Sequence, residues 1–161
     1  MISIEIPSEP GTRVPDAQYP FRHYLPIQKR FNDFDMLGHM NNTVYFAFFD
    51  MGKSSYFEEI SGVPVDWHNP GVVVANTNCD FYKPVFFDDT IAVVTTIISL
   101  GKKSFKIEQR IINAKTHRTH ARCITVMAAY NPETLKSGEV SQTWIANAER
   151  YEERTFEPLH H

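Results

Sequence analysis

A chain of 161 residues has the length of one domain with a core of ordinary size. With 42% hydrophobic and 22% charged residues, including 12 Phe, it carries the apolar mass to fold, which excludes wholesale disorder. Its 16 Lys and Arg against 19 Asp and Glu give a net charge of −3, which argues against a protein living on nucleic-acid phosphates.

Residues 1–20 carry prolines at positions 7, 10, 15 and 20 and little apolar periodicity, which predicts an extended arm ahead of a single domain over 21–152. The opening MISIEIPSEP shows no basic stretch followed by an apolar one, so no secretory signal is expected. Residues 153–161 read as a tail, and the final His160 and His161 carry no weight. A strand is predicted over 21–31, with Pro26 pointing to an edge position or a bulge. A polar stretch over 32–42 holds two aspartates, Gly38, His39 and two asparagines. A helix is predicted over 43–60, capped by Asn41 or Asn42. Its first half, VYFAFFDM, is apolar almost all round, which predicts an enclosed helix. No apolar run approaches the ~20 residues that cross a bilayer. Gly62, Pro64 and Pro70–Gly71 then mark a loop.

Residues 72–82, 89–100, 103–113 and 119–130 are rich in Val, Ile, Thr, Phe and Tyr and predict four strands. The turn signals between them are short, which predicts antiparallel neighbours. Asn131–Pro132 stops the last strand, and a polar helix is predicted around 141–151. The whole is an α+β pattern, one antiparallel sheet wrapped round a central apolar helix, a shape called the hotdog fold.

Chemistry concentrates ahead of the helix, where Arg30–Tyr45 reads R-F-N-D-F-D-M-L-G-H-M-N-N-T-V-Y. A helix start offers backbone N–H groups without acceptors and a partial positive charge, which can polarise a carbonyl and hold the oxyanion formed on attack. A nearby carboxylate can attack that carbonyl or orient a water to do so. Acyl transfer needs these two components.

The run D-x-D-x-x-G-H-x-N-N-x-x-Y resembles the hotdog-fold thioesterases, in their 4-hydroxybenzoyl-CoA thioesterase-like branch, and D-F-Y-K-P-V-F-F-D-D-T-I-A-V and G-K-K-S-F-K-I continue the likeness. The resemblance implies an acyl-CoA thioesterase with no metal or redox cofactor. It makes Asp35 the catalytic carboxylate and the backbone N–H of Asn42 the group that polarises the thioester. His39 also matches a catalytic histidine of plant acyl-carrier-protein thioesterases, but Leu37 stands where those enzymes carry an asparagine, so His39 is a supporting candidate. Lys102, Lys103 and Ser104 would grip the phosphates of coenzyme A. The implied assembly is a homodimer or tetramer with the site at the subunit boundary, and the expected location is a reducing cytoplasm.

Plainer readings stand beside these. Asp35 can be a turn residue, His39 can bond a backbone carbonyl, and Lys102–Ser104 can be a solvated hairpin tip. Asp33, two residues from Asp35, reads as structural, Asn41 and the Asn42 side chain as caps, and Tyr45 as core. His117, His120 and Cys123 have a metal-like spacing, yet His120 and Cys123 alternate on a strand and point apart. Cys79 and Cys123, the only cysteines, read as small buried hydrophobes rather than a disulfide framework. The rival functions are an acyl-carrier-protein thioesterase and a non-catalytic acyl-CoA-binding module.

Overall fold

β-branched runs punctuated by polar turns form five strands that share one antiparallel sheet, in a computed structural model that describes residues 2–64, 71–156 and 158. In chain order the elements are β1 (His23–Ile27), α1 (Asn42–Ser61), β2 (Val72–Phe81), β3 (Ile91–Leu100), β4 (Ser104–Asn113), β5 (Thr119–Asn131), a two-residue β6 (Lys136–Ser137) and α2 (Gln142–Glu152). The sheet order is β1-β3-β4-β5-β2, with β6 paired to β5. Pro26 lies on β1, an edge strand opposite Ala92, where a residue without an N–H is tolerated. Part of the loop expected after α1 and part of the C-terminal tail fall outside the described residues.

The expected pairing of β2 with β3 is not observed. β2 pairs with β5, Val72 opposite Ala129 through Phe81 opposite Ala121. Residues 82–90, which read as a turn, instead carry the chain across the end of the sheet. Val85 in this crossover is fully buried and accepts the Met40 N–H at 3.0 Å, so the segment packs against the loop ahead of α1.

α1 lies on one face of the sheet along Tyr45, Phe48, Phe49, Gly52, Tyr56 and Ile60, a stripe at helical spacing. Gly52 marks the closest approach: a Cβ there would stand 2.5 Å from Val93 Cγ1. The other side of α1 is open, with Phe46 and Met51 exposed. The helix is therefore enclosed on one side only, because one sheet can cover only one side. Its first half packs with Ile91, Val93, Ile111 and Ala121, and its second half with Ile97, Phe105, Ile107 and residues of α2.

The N-terminal arm is extended as expected, but it is docked rather than loose. Ile4 bridges Phe21, and Ile4, Ile6 and Ala17 pack against Phe21, Ala92, Val94 and Ile112. Arg110, fully buried, donates from Nε to Glu108 Oε2 at 2.7 Å and from Nη2 to the Pro15 carbonyl at 2.8 Å. Glu9 accepts from Lys83 Nζ at 2.6 Å and from the Thr119 N–H at 3.1 Å.

Candidate active site

The two aspartates ahead of α1 have different surroundings. Asp33 is 1% exposed, and both its oxygens are engaged: Oδ2 accepts the Arg30 N–H at 2.8 Å and Oδ1 accepts Arg30 Nη2 at 3.1 Å. Its carbonyl accepts the Asn41 N–H at 2.9 Å, which ties the return of the loop to its start. Both carboxylate oxygens of Asp33 are thus taken up within the loop.

Asp35 is exposed and opens a tight turn. Its N–H donates to the His39 carbonyl at 2.9 Å, and its carbonyl accepts the Gly38 N–H at 3.1 Å. Gly38 has φ +77°, a conformation that suits glycine and strains other residues. Asp35 Oδ1 accepts the N–H groups of Leu37 at 2.9 Å and His39 at 3.1 Å. The turn therefore uses one carboxylate oxygen, and Oδ2 has no hydrogen-bond partner among the described residues.

His39 is half-buried and pairs with Phe86 of the crossover, ring to ring at 5.2 Å, while Phe34 meets Phe87 at 5.4 Å. The exposed Met36, Leu37, Phe86 and Phe87 give the loop an apolar rim. Asn42 is the first residue of α1, so its N–H has no acceptor within the helix. Asn41 occupies the cap position, but its side chain makes no capping hydrogen bond, which corrects the expectation of a side-chain cap. Tyr45 is buried core, as expected.

Asp35, His39 and Asn42 thus come together in one loop and the helix start that it feeds. Lys102, Lys103 and Ser104 do not join them within one chain. They lie at the β3–β4 turn, at the end of the sheet under the second half of α1, with the ten residues of β3, roughly 30 Å, between them and the Asp35 end. Lys102 Nζ meets Glu139 at 3.4 Å, both side chains exposed, so that pair contributes little. The main-chain carbonyls of Lys102 and Lys103 accept the N–H groups of Val140 and Ala129, and that of Ser104 accepts Gly101's.

Sequence patterns give no sign of the cavity of about 940 Å³ that opens between the second half of α1, β2, β5 and the start of α2, walled by Phe57, Phe105, Met127 and Trp144. Lys53, nearly buried, lines it and pairs with the exposed Asp50 at 3.2 Å. Asp50 lies eight residues beyond Asn42, about 12 Å along the helix axis. His120 and Cys123 stand three apart on β5, and a register shift between Thr119 and Ala121 interrupts the regular alternation at His120.

The chain belongs to the thioesterase-like superfamily, whose sequence profile matches residues 29–148. It is 26% identical over 87 residues to the uncharacterized protein YsmA of Bacillus subtilis (strain 168), a match over 54% of this chain and 58% of that protein's length. In fold it resembles a Thermus thermophilus thioesterase solved with coenzyme A and zinc (TM-score 0.72, 21% identity, 84% of this chain and 98% of that one). It also resembles a 4-hydroxybenzoyl-CoA thioesterase variant solved with 4-hydroxybenzoyl-CoA (TM-score 0.66, 19% identity, 78% and 99%).

Proposed function

We propose that the protein hydrolyses an acyl-CoA thioester to a free acid and coenzyme A, working as a homodimer or tetramer in the cytoplasm. The observation that carries this reading is the pairing in one loop of a carboxylate oxygen left free by its turn with a helix-start amide that has no intrahelical acceptor. Asp35 acts as nucleophile or as general base toward a water. In the second case the water oxygen bonds to the thioester carbon as its proton passes to Asp35. The oxyanion forms against the Asn42 N–H, and collapse breaks the C–S bond and releases the coenzyme A thiolate, which takes up a proton. His39, held by Phe86, positions water or substrate.

The acyl group extends along α1 toward the apolar cavity that Lys53 lines. Lys102, Lys103 and Ser104 serve the phosphates of a coenzyme A bound mainly to a second subunit, because one chain keeps them at the opposite end of the sheet. Thioesterases solved with coenzyme A and with 4-hydroxybenzoyl-CoA share this fold, which supports the ligand class. Screening the purified protein against short, long and aromatic acyl-CoAs with a thiol-detecting dye tests the proposal. Release of coenzyme A from at least one is expected, and tight binding without turnover of any would replace the enzyme with a binding module.

A further inference from the structure

Cys79 on β2 and Cys123 on β5 are direct partners in the sheet register. Directly opposed residues on antiparallel strands have Cα atoms about 4.5–5.5 Å apart, inside the span a disulfide bridges. Both side chains face α1, where Cys123 is buried among Tyr45, Phe48 and Phe49 and the half-buried Cys79 packs against that cluster. The two thiols face each other across the strand pair, and Cys123 Sγ lies 3.6 Å from Thr125 Oγ1. Their mutual interaction sets them apart: it is the main cause that pulls Cys123 down to about 7 and the main cause that pushes Cys79 up. Burial opposes it at Cys123, Thr125 and the Lys53 ammonium assist, and Asp50 works against. Of the two, Cys123 is the sulfur more readily deprotonated.

We propose that Cys79 and Cys123 form a peroxide-responsive dithiol that closes into a cross-strand disulfide tying β2 to β5. The Cys123 thiolate attacks one oxygen of a hydroperoxide and the O–O bond breaks. This leaves a sulfenic acid on Cys123 and, from hydrogen peroxide, a hydroxide that takes back from solvent the proton Cys123 released and departs as one water. The Cys79 sulfur then attacks the sulfenic sulfur. The S–S bond forms, the S–O bond breaks, and hydroxide leaves with the Cys79 proton as a second water. Two thiols lose two electrons, and one peroxide gains them. The oxidised protein holds its terminal strand β2, whose Val72–Val74 line the cavity, covalently to its neighbour.

The test uses the full-length reduced protein and stoichiometric hydrogen peroxide, and it needs no thioester substrate. The expected product, under denaturing conditions, is a chain not cross-linked to another and about two mass units lighter, with no free thiol and one cross-linked peptide pair containing positions 79 and 123. Its melting temperature should rise by about 5–10 °C and return on treatment with dithiothreitol. In Cys79→Ser a sulfenic acid should be trapped by dimedone at position 123, whereas in Cys123→Ser the thiol at 79 should survive the same dose. Two free thiols remaining in the treated wild type, a disulfide between chains, or trapping at position 79 instead of 123 would each overturn the proposal. The wild-type result stands even if either variant fails to fold.

Discussion

Asp35→Asn separates the two uses of the Asp35 carboxylate. The turn needs one acceptor oxygen, which takes the N–H groups of Leu37 and His39 at 2.9 and 3.1 Å, and an asparagine amide oxygen in the same place can accept both. The exposed site adds no burial penalty, so the variant should lose under about 1 kcal/mol of stability and keep a near wild-type melting curve. Chemistry needs the second oxygen as part of a carboxylate, and an amide is neither a useful nucleophile nor a base there. Hydrolysis should therefore fall at least ~10²-fold, a barrier increase of roughly 2.7 kcal/mol or more. Asp33→Asn is the opposite case. Both oxygens of that buried carboxylate accept from Arg30, so an amide presents an N–H₂ to a donor and should cost about 1–2 kcal/mol, while turnover per folded molecule is largely kept. His39→Ala should fall between the two in activity. The assay is coenzyme A release from the best acyl-CoA, with melting curves alongside. A fully active Asp35→Asn next to a dead but folded Asp33→Asn would refute the assignment of the carboxylate.

Replacing both Lys102 and Lys103 by Ala should raise KM for acyl-CoA several-fold with kcat little changed, and an unchanged KM would make these lysines a solvated turn. Light scattering at micromolar concentration should give at least twice the 18.6 kDa of one chain, because β2 leaves a sheet edge open and α1 leaves Phe46 and Met51 exposed; a monomer mass counts against pairing. Gly52→Ala should destabilise by about 1–3 kcal/mol despite the better helix propensity of Ala, because its Cβ would stand 2.5 Å from Val93 Cγ1; an unchanged melting temperature would show that α1 can lift off the sheet. Burial holds His23 and His120 below the usual imidazole value, so the unfolded chain binds more protons through them below about pH 6.5. Stability should thus fall through these groups as the pH drops from about 7.5 past the usual imidazole value, while Glu152, pushed up by burial, works in the opposite direction. His23→Gln, which keeps a hydrogen-bonding atom toward Ser55, should flatten the acid slope, and an unaltered slope would absolve His23.

Local pattern located most elements to within a few residues: β3 runs Ile91–Leu100 where 89–100 was expected, and α2 runs Gln142–Glu152 against 141–151. The loop ahead of α1 was legible as a segment because Asp33, Asp35, Gly38 and His39 follow closely in the chain, whereas the left-handed backbone of Gly38 is a finding of the structure. The partner of β2 was not legible. Pro84 and Asp88–Asp89 look like a hairpin turn, and only tertiary packing shows that Val85 must reach the core under the site loop. Nothing in the sequence singles out Lys53, because the walls of its cavity come from residues as distant in sequence as Trp144. The docking of the arm was equally hidden, since it depends on isolated residues such as Ile4 and Ala17 with no regular period.

Boundary-minded trimming would remove the first twenty residues before any others, since the described ones among them form no helix and pair through a single bridge. In this fold they act as a roof over one face of the sheet. Without them Ala92, Val94 and Ile112 would meet water as a contiguous apolar patch, a surface that invites self-association. Arg110 would lose the Pro15 carbonyl, and Lys83 and the Thr119 N–H would lose Glu9. A shortened chain of this kind would keep every residue of the candidate active site and still handle as a poorly behaved protein.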